Sequence, residues 1–474
     1  MKIKIYNSQS KNKEDFKTIS PNVVNMYVCG PTVYDYLHVG NFRGSIFFNM
    51  ARNFLESQGY TVNYAYNFTD VDDKIINKSI EMNKPALEVS EFFIQEFLKD
   101  YSDLKLRPHT INPKVSEYIP QMIKYVEEII SKNMAYVDRG SVYLRRSHLP
   151  HVGCLSGRDI NQGLTGEKNH TEHKEHEADF ALWKGAKDGE ISWDSPWGKG
   201  RPGWHLECSV MIYDIFQGQT LDIHGGGLDL LFPHHENEVN QCLAHGEHTL
   251  ANFWMHNNML NMGNQKMSKS LGNVQTGRSF IKEHSGEVLK FIILSQHYRS
   301  IIDFKPENIQ LQTNYLARFY QSIKKAHKLK DSNRSSNLFD SVWKKFNESL
   351  ADDFNTPEAF SHLYEALNQF NKDPKKFSNS LVNLFENVGQ LLNLFQEDSN
   401  IFLNYLDQKD LVRLKLSQNE IENLINQRNT ARQNKDFQAS DQIRAELVSK
   451  GINLLDYPTG TEWEVIRVLS KPTE

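Results

Sequence analysis

Residues 26–82 read MYVCGPTVYDYLHVGNFRGSIFFNMARNFLESQGYTVNYAYNFTDVDDKIINKSIEM. Met26-Tyr27-Val28-Cys29 is a short apolar run closed by Gly30-Pro31, which predicts a buried strand ending in a turn. From Asn41 to Gly59 the residues Ile46, Phe47, Met50, Phe54 and Leu55 mark the apolar side of a helix. Thr61 to Phe68 is a second strand. Asp70 to Met82 is the next helix, with Asp70, Asp72 and Asp73 favourably placed near its positive end. Strand, helix, strand, helix at this spacing is the beginning of a parallel α/β sheet.

Outward from this unit the pattern changes near Leu104. Val115 to Lys132 reads as an amphipathic helix and Ala135 to Leu144 as a hairpin. A polar, glycine-rich stretch follows, with His170, His173 and His176. Histidines at that spacing could bind a metal, but a solvated loop is the plainer reading. The sheet is expected to resume at Trp204 to Met211 and Leu221 to His224, so the intervening chain reads as an insertion. Asn252 to Leu260 is a further strand, residues 263–273 (GNQKMSKSLGN) a loop, and Gly286 to Gln296 a buried helix. Beyond Lys305-Pro306, apolar residues recur at helical spacing around Leu311 to Ala326, Leu338 to Ala351, Pro357 to Phe370 and Leu381 to Phe395, as in a helical bundle. A last unit begins near Asp407. It has two helices, Glu420 to Asn434 and Ala439 to Lys450, and a hairpin turning at Pro458 and Gly460.

The composition is that of a soluble globular chain: 474 residues, 39% hydrophobic, 24% charged and a net charge of −5. No global basic signal points to nucleic acid, although a local basic face is compatible with an RNA ligand. Four cysteines without a CxxC pair fit a reducing compartment better than a disulfide scaffold. The first residues, MKIKIYNSQSKNKEDF, turn polar too early for a signal peptide, and no apolar run is long enough to cross a bilayer. A cytoplasmic protein is expected.

Three stretches carry chemistry. Residues 203–242 read GWHLECSVMIYDIFQGQTLDIHGGGLDLLFPHHENEVNQC. Pro233 can open a helix that places His234 and Glu238 one turn apart on one face. With a thiolate from Cys208 such a pair favours zinc. Spacing alone leaves the set incomplete, and the cysteines read equally as core thiols. The second stretch, residues 30–41, joins a strand to a helix. Gly40 permits close approach of a nucleotide, and His38 and Asn41 offer hydrogen bonds where phosphate charge is favoured. A purely structural loop is the alternative. In the third, Lys266 and Lys269 of KMSKS lie in a glycine-flanked loop suited to a leaving pyrophosphate, or to nothing but solvent.

A histidine–glycine motif early in an α/β unit with KMSKS late resembles the class I aminoacyl-tRNA synthetases. The segments YVCGPTVYDYLHVGN, NFTDVDDKI, DFALWK, PWGKGRPGWHLECS, DIHGGGLDLLFPHHENE, KMSKSLGN, DDFNTP and KDFQASDQIR resemble the cysteinyl-tRNA synthetase family over nearly the full length. The resemblance implies an α/β fold: a Rossmann-like parallel-sheet catalytic domain with an insertion, then a helical bundle and a small C-terminal α+β anticodon-binding unit. The corresponding ranges are 1–103 and 201–250 for the catalytic halves, 104–200 for the insertion, 251–305 for the KMSKS junction, 306–406 for the bundle and 407–474 for the last unit.

It also implies one zinc held by Cys29, Cys208, His234 and Glu238, binding the substrate's thiol, with Cys154 and Cys242 as ordinary thiols. His38 and Asn41 match the outer histidines of the HIGH motif; the amide of Asn41 is a departure and cannot become cationic. Gly40, Asp229 and Lys269 are expected at ATP, and Thr69, Asp70, Trp204 and His224 at the amino acid. The implied substrates are L-cysteine, ATP with Mg2+ and tRNA(Cys), without a membrane or an obligate protein partner, in a monomer. Arg428, Arg432, Lys435, Arg444 and Trp463 are candidate tRNA contacts. Two rivals are a tRNA-independent ligase joining cysteine to an amino sugar, and a non-catalytic zinc-containing RNA-binding protein.

Overall fold

A computed structural model of the chain describes residues 1–149, 153–157, 174–246, 249–262, 265–266, 275–331, 335–457 and 460–467. It forms two compact units. The first comprises Met1–Phe304, Lys344–His362 and Gln390–Asn393, and the second Lys305–Trp343, Leu363–Gly389 and Leu394–Glu474.

The first unit is built on a four-stranded parallel sheet in the order Ala251–Asn257, Leu221–Gly227, Val23–Val28, Thr61–Tyr66. The helix Phe42–Ser57 carries the chain from Val23–Val28 to its neighbour Thr61–Tyr66. The chain then leaves, and returns to the opposite side of Val23–Val28. The strand order therefore reverses between Val23–Val28 and Leu221–Gly227. In parallel sheets the crevice beyond such a reversal is where ligands bind.

The strand and helix pattern read from residues 26–82 is present, with the second helix opening at Asp73 and capped by the Asp72 carboxylate, which accepts from Lys74 N–H at 2.9 Å. Between residues 104 and 202 a separate antiparallel sheet forms from Ala135–Asp138, Ser141–Leu144, Phe180–Gly185 and Gly200–Pro202. His176 belongs to a turn in which its Nδ1 accepts from Ala178 N–H. His170 and His173 lie outside the described residues.

One expectation fails. Trp204 to Met211 is not a returning strand but part of the helix Trp204–Ile215. Every residue from His205 to Ile212 is buried, so the helix lacks the polar stripe that marks a surface helix. A run buried on all sides, with His205, Glu207 and Ser209 among its buried residues, shows no helical stripe to tell the two conformations apart. The difference matters, because on a helix Trp204 and Cys208 share a face.

In the second unit the helix Pro306–Leu329 packs on Ser399–Leu414, where Tyr320 and Phe402 have ring centroids 4.2 Å apart. The helices Gln418–Gln433 and Phe437–Ser449 lead into the hairpin Ile452–Tyr457 with Gly460–Val465. Ile421, Leu447, Ile452, Leu454 and Val465 form its small core. Pro458, one of the two expected turn residues, lies outside the described residues.

Arg428 is not part of an open basic face. It is 3% exposed and grips both Asp456 oxygens, at 2.9 and 2.8 Å. Arg432 reaches the same carboxylate at 3.4 Å, and Arg444 donates to the Leu454 carbonyl. The hydrogen bonds from Arg428 hold the Asp456 carboxyl well below the usual carboxylate range. A depressed folded value contributes stability above the unfolded pKa of about 3.9 and loses it as pH falls through the folded one. Amide exchange across residues 418–457 is therefore expected to quicken as pH drops below about 4, after correction for intrinsic rates. Asp456→Asn should flatten that dependence. It should also cost about 1–2 kcal/mol at pH 7, the partial exposure of Asp456 keeping this below the cost of splitting a buried pair. An unchanged acid profile in the variant would contradict this.

Candidate active site and metal centre

The crevice at the strand reversal is a cleft of about 560 Å³. Cys29 follows the strand Val23–Val28, and its N–H donates to the Gly225 carbonyl of the neighbouring strand at 3.0 Å. The next residue must be glycine, because a Cβ at Gly30 would stand 1.7 Å from the Asn67 carbonyl oxygen. The chain can then turn across the cleft with the thiol of Cys29 facing Cys208 on the helix Trp204–Ile215. Across from them the backbone leaves helical geometry at Phe232 (φ −143°, ψ 131°), and His234 and Glu238 lie one turn apart about the start of the helix Glu236–His245.

These four side chains converge. The sulfurs of Cys29 and Cys208 are 3.5 Å apart, Cys29 Sγ lies 3.6 Å from both His234 Nε2 and Glu238 Oε1, and those two are 2.9 Å apart. A zinc ion with Zn–S of about 2.3 Å and Zn–N of about 2.0 Å would make tetrahedral edges of roughly 3.5–3.8 Å. The edges at Cys29 have that size, and two thiols, an imidazole and a carboxylate are a zinc donor set. The residues therefore fit the metal. Cys242, buried elsewhere in the hydrophobic core, and Cys154 are outside the set.

The charges match this use. Burial and the neighbouring Cys208 sulfur push the Cys29 thiol well up. Burial opposes ionisation of Cys208 too, but hydrogen bonds from Cys29 and His234 prevail and bring it down to about 6. Burial likewise opposes charge on His234, yet Glu238 and Cys208 raise it to about 10. Burial disfavours the Glu238 carboxylate, and His224, His234 and His235 together hold it well below its ordinary value. The pocket thus stabilises two anionic donors, Cys208 and Glu238, by positive charge on the His234 ring that meets both.

A supporting shell orients the donors. Glu238 Oε2 meets His224 Nε2 at 2.6 Å, while His224 Nδ1 lies 3.0 Å from the Tyr27 carbonyl. His234 Nδ1 lies 3.0 Å from His205 Nδ1. For Nε2 of His234 to offer a lone pair, Nδ1 must carry the proton and donate it to His205. Trp204 stacks on the His234 ring with centroids 4.5 Å apart and lines the cleft. Behind them His235 Nδ1 and His256 Nε2 are 2.8 Å apart, and His256 Nδ1 reaches Ser8 Oγ at 2.8 Å.

At the other end of the cleft His38 Nδ1 accepts from Gly40 N–H at 3.1 Å, which leaves the proton on Nε2 as a donor. Gly40 is glycine for a local reason: a Cβ there would lie 2.9 Å from the His38 ring. Asn41 Oδ1 accepts from His38 N–H at 3.1 Å, so its amide holds the turn that presents His38. His38, Gly40, Asn41, Thr69 and Asp229 all line the cleft. Two expected pocket residues do not. His224 is fully buried behind Glu238. Asp70 turns away and accepts from the backbone and hydroxyl of Ser116. Lys266 lies in a two-residue strand paired with Leu260–Met262, and Lys269 is outside the described residues.

Comparison with known proteins decides the family. Residues 15–314 match the model of the class I (C) tRNA synthetase catalytic domain, and residues 345–396 match the DALR domain. A cysteine–tRNA ligase of Bdellovibrio bacteriovorus is 44% identical over 98% of this chain and 100% of its own. One from Geobacter sulfurreducens is 40% identical over 98% and 100%. The chain belongs to the cysteine–tRNA ligase family. Among solved structures, Mycobacterium tuberculosis methionyl-tRNA synthetase in complex with methionyl-adenylate has the same fold, with a TM-score of 0.60 at 12% identity over 84% of this chain and 95% of that one.

In this ligase, then, the residues that a sequence reading misses are those supporting the donors. His205, His235 and His256 follow no spacing rule, since each meets its partner through the tertiary fold. Glu207 belongs with them: it is fully buried beside Cys208 and accepts from the Thr69 hydroxyl at 3.2 Å.

Proposed function

We propose that this synthetase activates L-cysteine with ATP and transfers it to the 3′-terminal ribose of tRNA(Cys), with Cys29, Cys208, His234 and Glu238 selecting the substrate's thiol. The observation that carries the reading is the meeting of two thiols and an imidazole in the same cleft as His38, with the Glu238 carboxylate buried against them. These four residues would hold zinc, which stabilises a thiolate bound to it and has far less hold on a serine hydroxyl. A site that recognises its substrate by a strong specific bond rejects the analogue lacking it without an editing domain.

The chain's own residues do the rest. Trp204 and Thr69 wall the amino-acid end of the cleft. His38 Nε2–H and the N-terminal turn of the helix Phe42–Ser57 favour the negative charge of the triphosphate, which arrives with Mg2+. Asp229, which lines the same cleft, is assigned to accept from a ribose hydroxyl. The cysteine carboxylate oxygen attacks the α-phosphorus, and the bond to the bridging oxygen breaks to release pyrophosphate. Lys266 and Lys269 are assigned to the charge that builds on that leaving group. The adenylate's carbonyl then takes the 2′-hydroxyl of the tRNA, and AMP leaves. Positioning and electrostatics suffice for both steps.

Residues 407–474 are assigned to the anticodon, with 306–406 as the bundle before them. Trp463 lines a pocket of about 250 Å³ with Arg318 and Tyr457, an aromatic and cationic lining suited to an unpaired base. We place the enzyme in the cytoplasm as a single chain.

Amino-acid-dependent exchange of pyrophosphate into ATP, on zinc-loaded protein without tRNA, tests the reading. Exchange is expected with cysteine and not with serine. Exchange with no amino acid would remove the synthetase reading. Exchange with cysteine but transfer only to an amino sugar would move the assignment to the tRNA-independent ligase.

A further inference from the structure

Two arginines tie the loop that carries His38 to both flanks of residues 267–274. Arg43, in the first turn of the helix Phe42–Ser57, is 1% exposed. Its guanidinium is spent on backbone carbonyls. Nη1 donates to Met259 at 2.6 Å, and Nη2 to Tyr298 at 2.9 Å, to His297 at 3.3 Å and to Ser300. Met259 leads into the strand Leu260–Met262, and residues 297–300 lead into its parallel partner Ile302–Asp303. Leu260–Met262 also pairs with Gln265–Lys266, the near flank.

Burying a cation against dipoles alone is costly, and burial draws the Arg43 pKa down to about 10. An apolar side chain would fill that volume at lower cost. What the planar fork adds is a fixed angular relation among several carbonyls.

On the far flank Val39 N–H donates to the Gln275 carbonyl at 3.1 Å and Gly277 N–H to the Leu37 carbonyl at 2.8 Å. The Arg278 guanidinium, bonded to Glu96 and to Asp100 at 2.9 Å, lies 4.1 Å over the ring of Tyr36. Tyr36, Leu37 and His38 line the cleft.

We propose that Arg43 and Arg278 are positioning residues for the pyrophosphate-forming step, each fastening one flank of the KMSKS segment to the loop that presents His38. The proposal rests on the ATP-dependent reading above. Two motifs that act on one triphosphate need a common frame, and these arginines hold the described residues on either side of 267–274 to the His38 loop from outside the cleft.

The test uses the zinc-loaded full chain carrying Arg43→Lys or Arg278→Gln. Active sites are titrated by the burst of adenylate, so that exchange rates are expressed per competent site. In each variant kcat for exchange is expected to fall about 30- to 100-fold, with the KM for cysteine within about twofold. Single-turnover transfer from preformed cysteinyl-adenylate to tRNA should stay within about threefold. Equal losses in both half-reactions, or fewer competent sites at an unchanged rate per site, would overturn the proposal and leave the arginines as packing devices. Should Arg43→Lys be recovered unfolded, Arg278→Gln decides by the same split. Absence of exchange in the unsubstituted protein would instead strike the functional reading on which the proposal stands.

Discussion

Cys208→Ala is expected to lower kcat/KM for cysteine in pyrophosphate exchange by about a thousandfold or more while the KM for ATP stays within about threefold. Cys208 is 2% exposed on the helix Trp204–Ile215 and is the more readily ionised of the two thiols in this pocket. Its loss leaves Cys29, His234 and Glu238, a set with a single thiol. The remaining carboxylate and imidazole would then face each other buried at 2.9 Å with no cation required between them. The ATP end of the cleft does not depend on this helix, because His38, Gly40 and Asn41 are held by their own turn. The asymmetry between the two substrates is therefore the informative part. Circular dichroism and zinc content measured alongside show whether the fold survives. Losses of equal size for cysteine and ATP would identify a structural metal rather than one that reads the substrate.

His38→Ala is the second large effect. It is expected to lower kcat for adenylate formation by about 10²- to 10³-fold, the range for removing one preorganised donor from a developing charge, with the KM for cysteine nearly unchanged. The tautomer is the reason. Gly40 N–H occupies Nδ1, so Nε2 keeps its proton at neutral pH and the ring donates without needing to be charged. Asn41 has a different task, since its amide oxygen accepts from the His38 backbone and so holds the turn that presents the imidazole. Pre-steady-state formation of adenylate measures the step directly. A tenfold rise in the KM for cysteine at unchanged kcat would place His38 in amino-acid binding instead.

Much of the catalytic fold is legible in residues 26–82, because a strand, a glycine turn and a helix follow one another with nothing between them. The donor set is legible only in part. His234 and Glu238 announce themselves through their spacing, whereas Cys29 is separated from Cys208 by 179 positions and joins it only because the fold brings the helix Trp204–Ile215 to the end of the strand Val23–Val28. Family resemblance, not periodicity, brought that cysteine into the set. The helix Trp204–Ile215 reads as a strand in the sequence because burial on all its faces erases the period on which such readings depend. The family resemblance implies Asp70 and His224 at the substrate; their side chains turn to Ser116 and Glu238. Arg43 carries no signal of any kind, since its partners are carbonyls and every residue has one.

Zinc K-edge absorption spectroscopy, on the zinc-loaded protein with and without cysteine, tests thiol recognition most directly. Two sulfur neighbours, from Cys29 and Cys208, are expected for the protein alone. A third should appear with cysteine and not with serine. A zinc environment that is the same with cysteine, with serine and with neither, while exchange still requires cysteine, would contradict the assignment of selectivity to these four residues.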